Sequence, residues 1–192
     1  MLLFYCRRTI LFILHLYYLI VSYLKLIIQQ LRIAFSNQSK LQIRVQNQKA
    51  IPSKLGIIID DYNPKIDKKI IETVDFISDI PQIEYIAVYF TCTTTSTKFK
   101  SKKVTVLTSK QNDTSFLEAM KSQKPLDDFP YPFPSRLDLA IFFSKYPHLC
   151  NFFTWTLDLT TLYFAGPTCN ISPVTILDSF DSFGRAEQRC GK

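Results

Sequence analysis

Leu55-Gly56-Ile57-Ile58-Ile59 runs without a polar residue into Asp60-Asp61. An apolar run that does not alternate is a strand buried on both faces, the pattern of an inner strand in a covered parallel sheet. Three further runs read the same way: Tyr85-Ile86-Ala87-Val88-Tyr89-Phe90, Val104-Thr105-Val106-Leu107 and Leu139-Ala140-Ile141-Phe142-Phe143. Parallel neighbours need crossover connections, so helices are expected between the strands.

The intervening stretches carry that signal. Ile66, Ile70, Ile71, Val74, Ile77 and Ile80 recur at helical spacing and predict a helix from about Lys65 to Ile80. Phe116, Leu117 and Met120 mark a shorter one. Ser172 is suited to cap, and Pro173 to open, a helix that faces Val174, Leu177, Phe180 and Phe183 inward. Pro125 to Pro134 holds four prolines and predicts a loop or extended connection. The expected fold is α/β: one domain over residues 51–192, with a mostly parallel central sheet flanked by helices. No internal repeat is visible.

Ahead of that domain the chain changes character. From Ile10 to Leu24 every residue except His15 and Ser22 is apolar or aromatic, and Leu26-Ile27-Ile28 extends the run past Lys25. At ~1.5 Å per residue the stretch to Ile28 nearly covers a ~30 Å hydrocarbon core, so residues 1–33 read as a membrane anchor with one transmembrane helix. Leu19 to Arg32 is too bulky and polar to offer the small-residue cleavage site of a signal peptide. An in-plane amphipathic helix is the alternative, because Lys25, Gln29, Gln30 and Arg32 make the second half polar. Arg7 and Arg8 precede the run, whereas Lys25, Arg32, Lys40, Arg44, Lys49 and Lys54 lie towards its C-terminal side, which is therefore expected in the cytosol. Residues 34–50 are polar and lack sustained helical periodicity, the pattern of a linker.

The 192-residue chain has a formal net charge of +7. Lys98, Lys100, Lys102 and Lys103 cluster around Phe99, but the cluster is short and matches no RNA- or DNA-binding pattern. It reads as a solvated loop, and no nucleic-acid partner is expected; part of the basic excess belongs beside anionic headgroups. Cys6, Cys92, Cys150, Cys169 and Cys190 are odd in number, widely spaced and without a C-x-x-C pair, which favours reduced thiols. In a cytosolic domain the sequons at Asn37, Asn112 and Asn170 are chance matches.

Ligands of an open α/β sheet gather at the carboxyl ends of its strands. The first strand ends in Asp60-Asp61-Tyr62-Asn63, where adjacent carboxylates can hold a metal or act on a proton. Pro52-Ser53-Lys54-Leu55-Gly56-Ile57-Ile58-Ile59-Asp60 resembles the first conserved segment of the cis-prenyltransferases, in which the strand ends in Asp-Gly-Asn and an arginine follows. The resemblance places Asp60 on the aspartate that helps hold magnesium and diphosphate.

A second segment, Asp138 to Phe164, is similar without a gap to the family's other signature, retaining Asp138, Leu139, Ser144, Leu149, Asn151, Phe152, Trp155, Leu162, Tyr163 and Phe164. Where the family has its diphosphate ligands this chain departs. Phe142 and His148 stand for two arginines, Lys145 for the glycine, Tyr146 for the glutamate, Cys150 for a serine and Thr161 for a second glutamate. In the first segment Asp61-Tyr62 replaces Gly-Asn, and Pro64-Lys65 stand where the arginine is expected. Each charge-assisted hydrogen bond to a diphosphate is worth ~1.5–3 kcal/mol, so these losses leave the chain's own site degenerate, with Asp60 at most a vestigial metal ligand.

The C-terminal stretch points elsewhere. Asn170-Ile171-Ser172 and Ala186-Glu187-Gln188-Arg189-Cys190-Gly191-Lys192 resemble the non-catalytic branch of the family, the Nogo-B receptor-like subunits of the dehydrodolichyl diphosphate synthase complex. Arginine supplies a permanent fork of donors, and glycine lets a bare N–H approach an anion. The resemblance implies an accessory subunit, inactive alone, of a ditrans,polycis-polyprenyl diphosphate synthase. Arg189 and Gly191 would bind isopentenyl diphosphate in the site of a catalytic cis-prenyltransferase partner, which would chiefly hold the magnesium. Phe152 and Trp155 would belong to the core or the subunit interface. The setting implied is the endoplasmic reticulum membrane, single-pass, with the domain cytosolic. Two alternatives remain: a self-sufficient homomeric cis-prenyltransferase, and a membrane-bound receptor or adaptor with a degenerate prenyltransferase-like domain.

Overall fold

The computed structural model describes residues 2–35, 38–92, 97–122, 136–152, 157 and 160–189. The chain divides into two compact units, Met1–Asn37 and Gln38–Lys192. The first holds helix α1, Leu2–Ala34. Its Ile10–Ala34 portion is long and apolar enough to cross a membrane.

The second unit is α/β. Its strands are β1 (Lys54–Ile59), β2 (Tyr85–Phe90), β3 (Val104–Thr108), β4 (Leu139–Phe143) and β5 (Thr161–Gly166). They form one sheet in the order β3-β2-β1-β4-β5, and every pairing is parallel. β1 therefore sits in the middle, with Leu55 opposite Ile86 on one side and Leu139 on the other. Its apolar residues are buried on both faces, as the unbroken run requires. Gly56 is needed there because a Cβ would lie 2.7 Å from Leu137 Cδ1. One side of the core gathers Ile58, Tyr89, Leu107, Phe142 and Phe152.

Asp138 ties the starts of two strands together. Its Oδ2 accepts from Ser53 N at 2.8 Å, Ser53 Oγ at 2.9 Å and Lys54 N at 2.9 Å. Asp138, one of the residues of the second segment, thus lies at the amino ends of β1 and β4, away from the site at their carboxyl ends.

The helix expected from Lys65 to Ile80 is interrupted at its start. Pro64–Ile66 forms a 3-10 turn, with Asn63 Oδ1 accepting from Lys65 N at 3.0 Å, and α3 proper runs from Asp67 to Ser78. It buries Ile70, Val74 and Ile77. Lys103, from the basic cluster, donates to Ser78 O at 3.1 Å and Ile80 O at 3.4 Å, partnering carbonyls at the end of that helix. α4 is Ser109–Ser122 and α5 is Pro173–Arg189. Ser172 Oγ accepts from Thr175 N at 3.3 Å, the expected cap. Asn170 is buried and its Nδ2 donates to Ala165 O at 3.1 Å, so the third sequon's asparagine is part of the interior. The proline-rich stretch Pro125 to Pro134 lies outside the described residues.

Residues 34–50, read as a polar linker without sustained helical periodicity, contain a helix, α2, at Gln38–Gln46. Its periodicity is weak because charge, as well as apolar contact, seats it. Arg44 Nη2 pairs with Asp178 at 2.6 Å and also with Asp181, both on α5.

Candidate functional site

The strand order reverses direction between β1 and β4, because the chain builds outward from β1 to β3 and then returns to the other side of β1. At such a switch point the loops leaving two adjacent strands part and open a crevice beyond their carboxyl ends. Asp60 leaves β1 there, held by its N–H to Phe143 O at 3.0 Å, and Ser144 leaves β4. The crevice is an open cavity of about 530 Å³ lined by residues that include Asp60, Tyr89, Thr91, Ser109, His148 and Cys150. Another cavity, of about 480 Å³, lies beside α2 and the end of α3. Asp79 is the one titratable residue among its described lining residues, whereas the switch-point crevice brings Asp60, His148 and Cys150 together.

Two side chains converge on one oxygen of Asp60. Ser144 Oγ donates to Asp60 Oδ2 at 3.0 Å, and His148 Nε2 lies 3.0 Å from the same oxygen and 2.9 Å from Ser144 Oγ. The N–H of Cys150 donates to His148 Nδ1 at 3.1 Å. With Nδ1 accepting, the ring proton belongs on Nε2, from where it is donated to Asp60. A serine nucleophile needs the carboxylate on one ring nitrogen and its own hydroxyl facing a basic one. Here both partners meet the protonated Nε2, so the trio is a hydrogen-bonded clasp and not a nucleophilic triad.

The backbone around the clasp is unusual. Asp61, Cys150 and Asn151 have φ values of 49°, 53° and 52°, and they are the positive-φ residues other than glycine among those described. Left-handed conformations of this kind cost free energy and concentrate at functional sites. Burial, followed by the negative charge of Asp60, pushes the Cys150 thiol up to about 12. It is protonated at neutral pH and is not an activated nucleophile.

No lysine or arginine is among the described lining residues of the crevice, while Asp60 brings a carboxylate. Phe142, at the position of an expected arginine, is fully buried and stacks on Phe164 with centroids 5.2 Å apart. Lys65 is exposed, and Lys145 lies over the exposed Tyr146 ring, 5.3 Å from its centroid. Magnesium fits poorly as well, since it demands near-octahedral oxygen ligands. Asp60 Oδ2 already serves two donors, and the neighbouring Cys150 and His148 offer sulfur and nitrogen.

Among the sequence-predicted residues, Asp60 lies in the crevice. Arg189 is the last residue of α5, and Gly191, like Trp155, lies outside the described residues. In the sequence, His148 and Cys150 show only as departures from the resembled pattern. The contact of His148 with Asp60, and the approach of Cys150 to it, depend on β4 pairing with β1, which no local pattern encodes. The available signal was the spacing Ser144–His148–Cys150 immediately after an apolar strand.

No protein-family model matches the chain, and no curated protein matches it significantly.

Proposed function

We propose that this chain is the non-catalytic, activity-requiring subunit of a heteromeric cis-prenyltransferase. The observation that best supports the reading is the crevice at the switch point, where a diphosphate would meet Asp60 and no cation among the described lining residues. A prenyltransferase-like domain in that condition has use for a partner that supplies the catalytic groups. The partner would bind magnesium and condense isopentenyl diphosphate onto farnesyl diphosphate. The long polyprenyl diphosphate that results feeds dolichol synthesis and protein glycosylation.

In this reading the chain contributes through its C-terminal residues. Arg189 and the backbone N–H of Gly191 complete the partner's isopentenyl diphosphate site, a bidentate fork and a bare amide on one anion. The α1 helix anchors the complex in the endoplasmic reticulum membrane with the domain in the cytosol, so that a very apolar product leaves water at once.

The test is co-expression with the catalytic partner. Arg189→Ala and Gly191→Asp chains should assemble as the parent does, while polyprenyl synthase activity falls about ten- to a hundredfold for Arg189→Ala, the worth of one charge-assisted hydrogen bond or more. Unchanged activity in both variants overturns the role of the C-terminal residues. Synthase activity of the purified chain alone overturns the non-catalytic assignment.

A further inference from the structure

The donor set at the switch point suits a different ion from magnesium. Asp60, His148 and Cys150 each offer one ligand atom, and these atoms all lie within 4.8 Å of one another. His148 Nε2 is 3.0 Å from Asp60 Oδ2 and 4.0 Å from Cys150 Sγ. Bonds of ~2.0–2.2 Å to nitrogen and oxygen and ~2.3 Å to sulfur place the ligand atoms of a tetrahedral ion roughly 3.3–3.8 Å apart. Small side-chain movements bring the three into that shell.

We propose that Asp60, His148 and Cys150 form a three-ligand site for a thiophilic divalent cation of the zinc type, its fourth position open to the crevice. Sulfur with imidazole and one carboxylate selects such an ion over magnesium or calcium, which take oxygen. The fold brings the ligands together from adjacent strands. Asp60 follows β1, while His148 and Cys150 sit two residues apart in the loop after β4, where the backbone of Cys150 is held at φ 53°. Ser144 Oγ, donating to Asp60 Oδ2 at 3.0 Å, orients the carboxylate without touching the ion.

Proton balance is explicit. The Cys150 thiol releases its proton to solvent on coordination. The ring proton of His148 moves from Nε2 to Nδ1, and the Cys150 N–H gives up its 3.1 Å contact there. A carboxylate and a thiolate then balance the dication, and affinity rises with pH because a proton is released. The site is independent of the role proposed for Arg189 and Gly191.

The experiment uses the full chain in mild detergent, reduced and stripped of metal, titrated with Co²⁺. The expected result is saturation at one equivalent, with a thiolate-to-cobalt charge-transfer band and tetrahedral d–d absorption, displaced by Zn²⁺ and unmoved by Mg²⁺. Cys150→Ser should abolish the charge-transfer band, whereas Cys169→Ser, changing an exposed thiol, should leave it. His148→Gln, at a side chain 47% exposed and so harmless to the core, should weaken binding by more than about tenfold. Ser144→Ala should weaken it about tenfold with the spectrum retained. Absence of the band in the parent chain, its survival in Cys150→Ser, or unchanged affinity in His148→Gln overturns the site. Arg189→Ala should titrate as the parent does, which keeps this result separable from the fate of the subunit reading.

Discussion

Two glycines with opposite surroundings show how a single residue is fixed by its neighbours. At Gly56 an added Cβ falls 2.7 Å from Leu137 Cδ1, the tip of a fully buried side chain, so the core must repack. At Gly184, inside α5, the nearest atoms to an added Cβ are Ala50 Cβ and N at 3.6 Å, ordinary contact. Gly56→Ala should therefore destabilise the domain by about 1–3 kcal/mol. Gly184→Ala should stabilise it by roughly 0.5–1 kcal/mol, since alanine is the better helix former and restricts the unfolded chain. Thermal melts of the full chain in detergent check both, and a shift of the same sign in the two variants contradicts the packing argument. Neither sign was legible in the sequence. Gly56 stands in a predicted strand and Gly184 just after Phe183, the last inward position of a predicted helix, but only the distance to Leu137 separates a tight glycine from a dispensable one.

Elements were legible in proportion to how much apolar surface they bury. β1, β2 and β4 fall within a residue of the predicted runs because each is buried along almost its whole length, and β3, an edge strand with only Leu107 buried, is still marked by its β-branched Val104-Thr105-Val106. β5 does not show as a strand in the sequence, because Leu162 and Phe164 stay 40% and 44% exposed while Tyr163 between them is half-buried and Ala165 beyond them is buried. α2 went unread for a different reason. Its seat on α5 is partly electrostatic: Arg44 reaches Asp178 and Asp181, which are three residues apart and so share a helix face, while Leu41 supplies the buried apolar contact. Burial works against the guanidinium's charge, yet the two carboxylates outweigh it and hold Arg44 above its usual range. Arg44→Ala should weaken the docking of residues 38–46 by about 1 kcal/mol, a value kept small because Asp181 is partly solvated. Hydrogen exchange should show the loss as faster exchange confined to α2, with β1 and β4 unchanged. Uniform acceleration across the sheet would mean that Arg44 supports the whole domain.

At the scale of the whole molecule the decisive fact is strand order. The apolar runs announced a parallel sheet, but they did not say that β4 would lie beside β1, and without that neighbour Asp60 has no His148. The site was thus half legible: one strand end in the sequence, its partners only in the topology. The same central placement buries Tyr89, whose hydroxyl is pushed up to about 12 by burial first and then by the charges of Asp113 and Cys150. A phenol that ionises near its ordinary value of 10 in the unfolded chain but near 12 in the folded one stabilises the fold fully below pH 10. Between pH 10 and 12 the unfolded state loses its proton first, so that stabilisation declines as pH rises through this window. Denaturant midpoints of the full chain in detergent should fall across it, and Tyr89→Phe, which cannot ionise, should remove part of the fall while leaving the profile below pH 9 parallel to the parent's. An identical alkaline slope in the two chains would show that Tyr89 ionises alike in both states, and that the sheet's centre is more open to water than its packing implies.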